Sequence, residues 1–138
     1  MNEPNKILIV EDSAFIQERL VNQISPYPEF NIVGFAKNVH EANLKFDLLM
    51  PQIVILDMKL ETGYGLEVLI HIRSVSKDCV VIVFTNYASD SIRKECMELG
   101  ANHFLDKSFD FEKVIEKCQE SVHIHNRRNN INIASFLL

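Results

Sequence analysis

The stretch Ile53-Val54-Ile55-Leu56-Asp57 decides how this chain is read: four apolar residues run without interruption into a carboxylate, and Gly63 and Gly65 follow shortly after. A short apolar run with no polar alternation fits a strand buried on both faces, the habit of central parallel strands. Asp57 then stands where the strand opens into its C-terminal loop, the edge at which open α/β sheets keep their ligands. Two other stretches end in the same way. Ile7-Leu8-Ile9-Val10 runs into Glu11-Asp12, and Val80-Val81-Ile82-Val83-Phe84 runs into Thr85. With the strands parallel, three carboxylates and a hydroxyl collect at one edge.

Helical spacing separates these runs. Asp12 or Ser13 can cap a helix in which Ile16, Leu20 and Ile24 recur every four residues and Val21 widens the face, until Pro26 and Pro28 stop it. Residues 31–36 form a less apolar strand suited to a sheet edge. Asn38 and Glu41 have the spacing of a capping box ahead of a helix that turns Val39, Ala42, Phe46 and Leu49 inward. Leu66, Leu69 and Ile72 carry a third helix; Ser89 or Asp90 starts a fourth through Ile92, Cys96 and Leu99, with Gly100 at a left-handed C-cap. After a last short strand at residues 102–105, Asp110 is expected to cap a final helix through Phe111, Val114, Ile115, Cys118 and Val122. Five strand–helix units predict an α/β fold, a doubly wound five-stranded parallel sheet with helices on both faces. Periodicity leaves the strand order open, 2-1-3-4-5 being one common solution.

The chain has 138 residues, the size of one domain, and is 47% apolar, enough to supply a core buried on two sides. Its net charge of −5 argues against nucleic-acid binding by this domain alone. No secretory signal and no apolar run long enough for a membrane span is visible, so a cytoplasmic, reducing setting is expected, without membrane contact. Cys79, Cys96 and Cys118 are odd in number and widely spaced, and read as small hydrophobes rather than a disulfide or zinc framework. His40, His71 and His103 have no matched partners; His123 and His125 would diverge on a helix and make no metal pair. The domain is expected to occupy residues 1–122. Residues 123–138 form a C-terminal tail or the start of a linker, polar at Asn126-Arg127-Arg128 and apolar from Ile131 onward.

Carboxylates gathered at one edge repel one another unless a cation or hydrogen bonds compensate. Glu11, Asp12 and Asp57 can make an oxygen-rich cradle for Mg2+, a hard ion that also ligates phosphate oxygens. A carboxylate can itself attack a phosphoryl donor. Lys107, just beyond the last strand, can reach the same edge and offset charge there, and Thr85 can hydrogen-bond a phosphoryl oxygen. Each has an ordinary reading as well: Asp12 as a helix cap, Asp57 as a loop residue, Thr85 in local backbone bonds, Glu11 and Lys107 as surface charges, Phe104 as core.

Taken in order, Glu11-Asp12, Asp57, Gly63, Gly65, Thr85, Phe104 and Lys107 resemble the receiver domain of bacterial two-component response regulators, over residues 6 to about 122. The resemblance implies a flavodoxin-like (CheY-like) fold of order 2-1-3-4-5. It also implies phosphoryl transfer to Asp57 from the phosphohistidine of a sensor histidine kinase or phosphotransfer protein. Asp12 and Asp57 would ligate Mg2+ directly, Glu11 through the outer shell, and the Lys59 backbone carbonyl would add another ligand. Thr85 and Lys107 would contact the phosphoryl group, and Thr85 with Phe104 would form a switch. The output would be altered partner binding, or a homodimer through the face of the fourth helix, fifth strand and fifth helix.

Lys59 and Tyr87, each two residues beyond a reacting position, are expected to tune the lifetime of the phosphoryl group. Lys59 would ion-pair with the acidic cluster in the metal-free state, and Tyr87 would shield the phosphate from water. Three residues depart from the family pattern. Glu61 stands where Pro is usual, which implies a looser or more charged loop; Asn86 stands where Ala is common and narrows donor access; Ser108 replaces the frequent Pro, so a cis bond after Lys107 would cost roughly 2.5–4 kcal/mol. Competing readings are a phosphorylation-independent interaction module and a Mg2+-dependent phosphatase using Asp57, the latter weakened because Lys59 is not an acid. A flavodoxin-like cofactor carrier is disfavoured by the acidic, glycine-free first loop.

Overall fold

The apolar strands sort into two core layers because successive side chains on a strand point to opposite faces. The computed structural model describes residues 3–122. In chain order the elements are β1 (Asn5–Val10), α1 (Ala14–Ile24), β2 (Phe30–Ala36), α2 (Val39–Leu49), β3 (Ile53–Leu56), α3 (Gly65–Val75), β4 (Val80–Thr85), α4 (Asp90–Glu98) and β5 (His103–Asp106). Helical residues 113–122 follow as α5. The strands are parallel in the order β2-β1-β3-β4-β5, with β2 at one edge as its weaker apolar pattern predicts. The anticipated tail over residues 123–138, with His123 and His125, lies outside the described residues.

Ile7, Ile9, Ile53, Ile55, Ile82 and Phe84 pack with Leu20, Ile24, Val114 and Cys118 of α1 and α5. The alternate residues Leu8, Val10, Val54, Leu56, Val81 and Val83 pack with Ala42, Phe46, Leu69, Ile72 and Cys96 of α2, α3 and α4. Every one of these side chains is buried. Burying each large aliphatic stabilises the fold by roughly 1.5–3 kcal/mol. Truncating Ile55 to Ala would cost about 2–5 kcal/mol, transfer and cavity together.

Three of the helices begin as their sequences predict. Ser13 Oγ accepts from the Ile16 amide at 3.3 Å, Asn38 Oδ1 from Glu41 at 2.9 Å and Ser89 Oγ from Ile92 at 3.2 Å. Ser13 is therefore the cap, and Asp12 is left exposed at the sheet edge. Glu41 bends back to the Lys37 amide at 3.0 Å, one residue before the position a capping box uses. Gly100 adopts φ +106° just past α4, where a side chain would be strained.

The start of α5 differs from expectation. The Asp110 carboxylate turns back to accept the Asp106 amide at 2.9 Å instead of capping the helix. Gln23 of α1 takes over: its Oε1 accepts from the Ile115 amide at 2.9 Å and its Nε2 donates to the Phe111 carbonyl at 3.0 Å. His71 is also not partnerless, since its Nε2 lies 2.8 Å from Asp47 Oδ1 between α3 and α2.

One side chain fastens the far end of the α3–α4 layer. The Arg73 guanidinium donates to the Gly100 carbonyl through Nε and Nη2 at 2.9 and 2.8 Å, to the Cys79 and Ser76 carbonyls at 2.7 and 3.2 Å, and to Asn102 Oδ1 at 2.9 Å. The three cysteines are buried free thiols. No helix among the described residues is long and apolar enough to cross a membrane.

Candidate phosphoacceptor site

Asp57 leaves β3 with its amide still in the ladder, donating to the Val10 carbonyl at 3.0 Å. Its Oδ1 accepts the Met58 amide at 2.8 Å, which turns the chain out of the sheet. The Gly65 amide then closes the loop on the Met58 carbonyl at 2.7 Å. A Cβ on Gly65 would lie 2.2 Å from the Asp57 carbonyl oxygen, so only glycine lets α3 begin this close to the strand end.

Glu11 and Asp12 follow β1, the central neighbour of β3. The Glu11 amide continues the ladder to Ala36 at 2.8 Å, its Oε2 accepts the Ser13 amide at 2.9 Å, and Gln17 Nε2 holds its carbonyl at 2.7 Å. One oxygen each of Glu11, Asp12 and Asp57 falls within 4.8 Å of the others, with Glu11 and Asp57 buried and Asp12 exposed. From the other side of β3, Lys107 reaches in after β5. Its ammonium contacts Asp57 Oδ2 at 2.8 Å and also Glu11 Oε1, with the side chain only 8% exposed.

The Lys107 contacts set the electrostatics. Burial raises the Glu11 pKa above the ordinary carboxylate value, although the Lys107 and Ser13 hydrogen bonds work against that. For Lys107 burial opposes the charge, but hydrogen bonds with Asp57 and Glu11 outweigh it, and the ammonium is held above its usual pKa. A lone cation among three carboxylates does not neutralise them when all are ionised, and oxygen donors this close suit a hard divalent ion. The residues present therefore fit Mg2+.

Thr85 ends β4, fully buried, and its Oγ1 accepts the Tyr87 amide at 3.1 Å. A hydroxyl that accepts one bond still carries a hydrogen to donate. Phe104 is buried in the α2–α4 layer, with the Arg93 guanidinium 4.8 Å over its ring. Lys59 is where the structure departs most from expectation. It is exposed and lies 5.5 Å over the Tyr87 ring, and Tyr87 is the main influence raising its pKa, with Asp12 a lesser one. Lys107 holds the cluster instead, because β5 delivers it from within the sheet edge while Lys59 leaves on an outer loop.

Of the two expectations for Glu61, the loop carries the added exposed charge and is not the looser one. The Glu61 amide donates to the Lys37 carbonyl at 3.0 Å and the Val39 amide to Thr62 at 3.3 Å, so the acceptor loop is tied to the start of α2 rather than loosened. A proline at 61 has no hydrogen to give. Asn86 is exposed beside the mouth, and no cis peptide occurs among the described residues. Gln17, which steadies Glu11, and Asp106, which shapes the turn beyond Lys107, carry no spacing signal in the sequence.

A five-stranded doubly wound parallel sheet with an acidic cleft, a buried hydroxyl and a lysine at its C-terminal edge defines the class, an open α/β domain with its polar groups at one sheet edge. A family model described as the response regulator receiver domain matches residues 7–119. The chain therefore belongs to the response regulator receiver family. It is 35% identical over 122 residues to a protein-glutamate methylesterase/protein-glutamine glutaminase of Carboxydothermus hydrogenoformans, covering 86% of this chain and 35% of that protein. The chain thus spans about a third of that relative's length. Chemotaxis protein CheY of Listeria monocytogenes is 29% identical over 116 residues, covering 84% of this chain and 97% of CheY. The crystal structure of a CheX–CheY–BeF3–Mg2+ complex from Borrelia burgdorferi superposes with a TM-score of 0.78 at 28% identity, covering 85% of this chain and 88% of the other.

Proposed function

We propose that Asp57 accepts a phosphoryl group from the phosphohistidine of a sensor histidine kinase or phosphotransfer protein, and that the chain is a cytoplasmic phosphorylation-dependent switch. The supporting observation is the ion pair of Lys107 with Asp57 and Glu11, a buried cation placed where transferred phosphoryl oxygens would need one. An Asp57 oxygen attacks phosphorus in line; the P–N bond to the donor imidazole breaks, and its electron pair returns to the imidazole ring. Lys107 keeps its proton and contacts one phosphoryl oxygen while Thr85 Oγ1 donates to another. Asp12, Asp57 and the Lys59 backbone carbonyl would ligate Mg2+, with Glu11 behind them, and the bound ion would supply positive charge at the phosphoryl oxygens.

The switch follows from the same contacts. A phosphoryl group on Asp57 draws Thr85 toward it, and Phe104 moves into the space released, leaving the cover of Arg93. The altered face of α4, β5 and α5 is then offered to a partner or to a second copy. Lys59 and Tyr87, paired with each other two residues beyond Asp57 and Thr85, set how readily water reaches the acyl phosphate; Asn86 narrows the way in. Incubation with acetyl phosphate and Mg2+, followed by intact-protein mass measurement, tests this reading. One phosphoryl adduct is expected on the wild type and none on Asp57→Ala. An unmodified wild type would instead favour a phosphorylation-independent interaction module, and an adduct surviving Asp57→Ala would place the acceptor elsewhere.

A further inference from the structure

Lys107 is fixed at both ends: its backbone amide donates to the Thr85 carbonyl at 3.0 Å and its ammonium reaches Asp57. Immediately beyond it the chain reverses direction, at a place where the family frequently has proline and this chain has Ser108. Four hydrogen bonds make that reversal. Asp106 Oδ1 accepts the Ser108 amide at 2.8 Å, and the Asp106 carbonyl accepts the Phe109 and Asp110 amides at 3.2 and 2.7 Å. The Asp106 amide, in turn, donates to Asp110 Oδ2 at 2.9 Å.

The edge position of β5 explains the last of these. Asp106 is in register with Thr85, and the next amide in the ladder, that of Lys107, goes to β4. The Asp106 amide belongs to the alternate set, which on an edge strand has no further strand to meet. The Asp110 carboxylate supplies its acceptor. Asp110 is itself anchored by Lys113, 3.1 Å away, and its pKa lies below the ordinary value, chiefly through the Asp106 amide. Two carboxylates outside the acidic cleft therefore close a ring of hydrogen bonds around the residue that enters it.

We propose that Asp106 and Asp110 are positioning residues for Lys107: their carboxylates build the turn that sets where the ammonium rests against Asp57. The inference rests on Asp57 being the phosphoacceptor. It makes the Ser108 amide hydrogen, rather than its hydroxyl, the requirement at that position. Installing the family's proline there removes the donor to Asp106 and disturbs the turn, whereas alanine leaves it intact.

The test is the initial rate of phosphorylation by acetyl phosphate with Mg2+, followed by intact mass, with far-UV circular dichroism showing that each variant is folded. Ser108→Ala and Asp106→Asn, whose amide oxygen still accepts the Ser108 amide, are expected to match the wild type. Asp106→Ala and Ser108→Pro are expected to fall roughly ten-fold, the scale of losing one well-placed charge-assisted hydrogen bond. A residue that acts only through Lys107 has nothing left to do once Lys107 is gone. Asp106→Ala added to Lys107→Ala should therefore be no slower than Lys107→Ala alone, whereas a general loss of structure would multiply the two defects. Wild-type rates for Asp106→Ala, no rescue by Asp106→Asn, or multiplicative losses in the double variant would each overturn the proposal while leaving Asp57 as acceptor. A wild type that takes no phosphate would overturn both.

Discussion

Replacing Lys107 with Met keeps the length of the side chain and removes the only cation seen to touch both Glu11 and Asp57 among the described residues. The Glu11 and Asp57 side chains are 3% and 7% exposed, so water replaces the lost contacts only in part. Breaking a buried pair by deleting one partner costs about 3–5 kcal/mol. Part of that cost is relieved because Glu11, already raised by burial, loses the Lys107 hydrogen bond that opposes the shift, so its pKa moves further up. The net loss for metal-free protein at pH 7.5 is then about 2–4 kcal/mol, with a melting shift of roughly 3–5 °C per kcal/mol for a domain of this size. A carboxyl whose folded pKa exceeds its unfolded value of 4.5 contributes stability that grows as pH falls through the folded value. Lowering the pH toward 5.5 should therefore narrow the gap between variant and wild type. Urea denaturation of both proteins at the two pH values, with and without Mg2+, measures it, and Mg2+ should restore part of the loss. A gap below about 1 kcal/mol at pH 7.5, the worth of an exposed pair, or a gap independent of pH, would refute the burial argument.

Removing either member of the Lys59–Tyr87 pair, by Lys59→Ala or Tyr87→Ala, should shorten the phosphoryl half-life about two- to five-fold, the scale of an exposed cation–π contact. Decay of the mass adduct measures this, and the double variant should decay no faster than the worse single one. Gly65→Ala drives a Cβ into the Asp57 carbonyl and should cost on the order of 1–3 kcal/mol or more in urea melts. Gly34→Ala, whose nearest neighbour is the Leu49 Cδ1 atom at 3.2 Å, should cost less. Burial pushes the Cys79 and Cys118 thiols up to about 12 from 9, so unfolded chains ionise first and stability is lost as pH rises from 9 through about 12. Lys107 adds its own loss above 10.5. Cys118→Ala should flatten the lower part of that alkaline decline, and an unchanged slope would count against the thiol contribution.

The sheet was legible because β3 and β4 are uninterrupted apolar runs ending at reactive side chains, a pattern that neither an amphipathic helix nor a half-exposed strand produces. Caps at Ser13, Asn38 and Ser89 were legible because they act over three residues, within reach of local spacing. The start of α5 was not, since its cap, Gln23, lies 92 residues away from Ile115 in sequence. At the site, Asp57, Glu11, Asp12, Thr85 and Lys107 fall where strand ends put them. Lys107 meets the acidic cluster as its place after the last strand predicts, whereas the additional ion pair expected of Lys59 does not form, because sequence proximity says nothing about which ammonium is aimed inward. Glu61 was judged by the ring it lacks, when the deciding group was its backbone hydrogen.

The Arg73 guanidinium gives α4 unequal ends. Three hydrogen bonds from Arg73 of α3 moor Gly100 and Asn102, just past the C-terminus of α4, and two more tie the same guanidinium to Ser76 and Cys79 in the turn before β4. The N-terminal end, capped by Ser89, follows the loop that leaves Thr85. A rod pinned at one end answers a pull at the other by swinging. Displacement of the Thr85 loop then appears as a tilt about Arg73 rather than a translation, and its size grows along α4 with distance from that fulcrum.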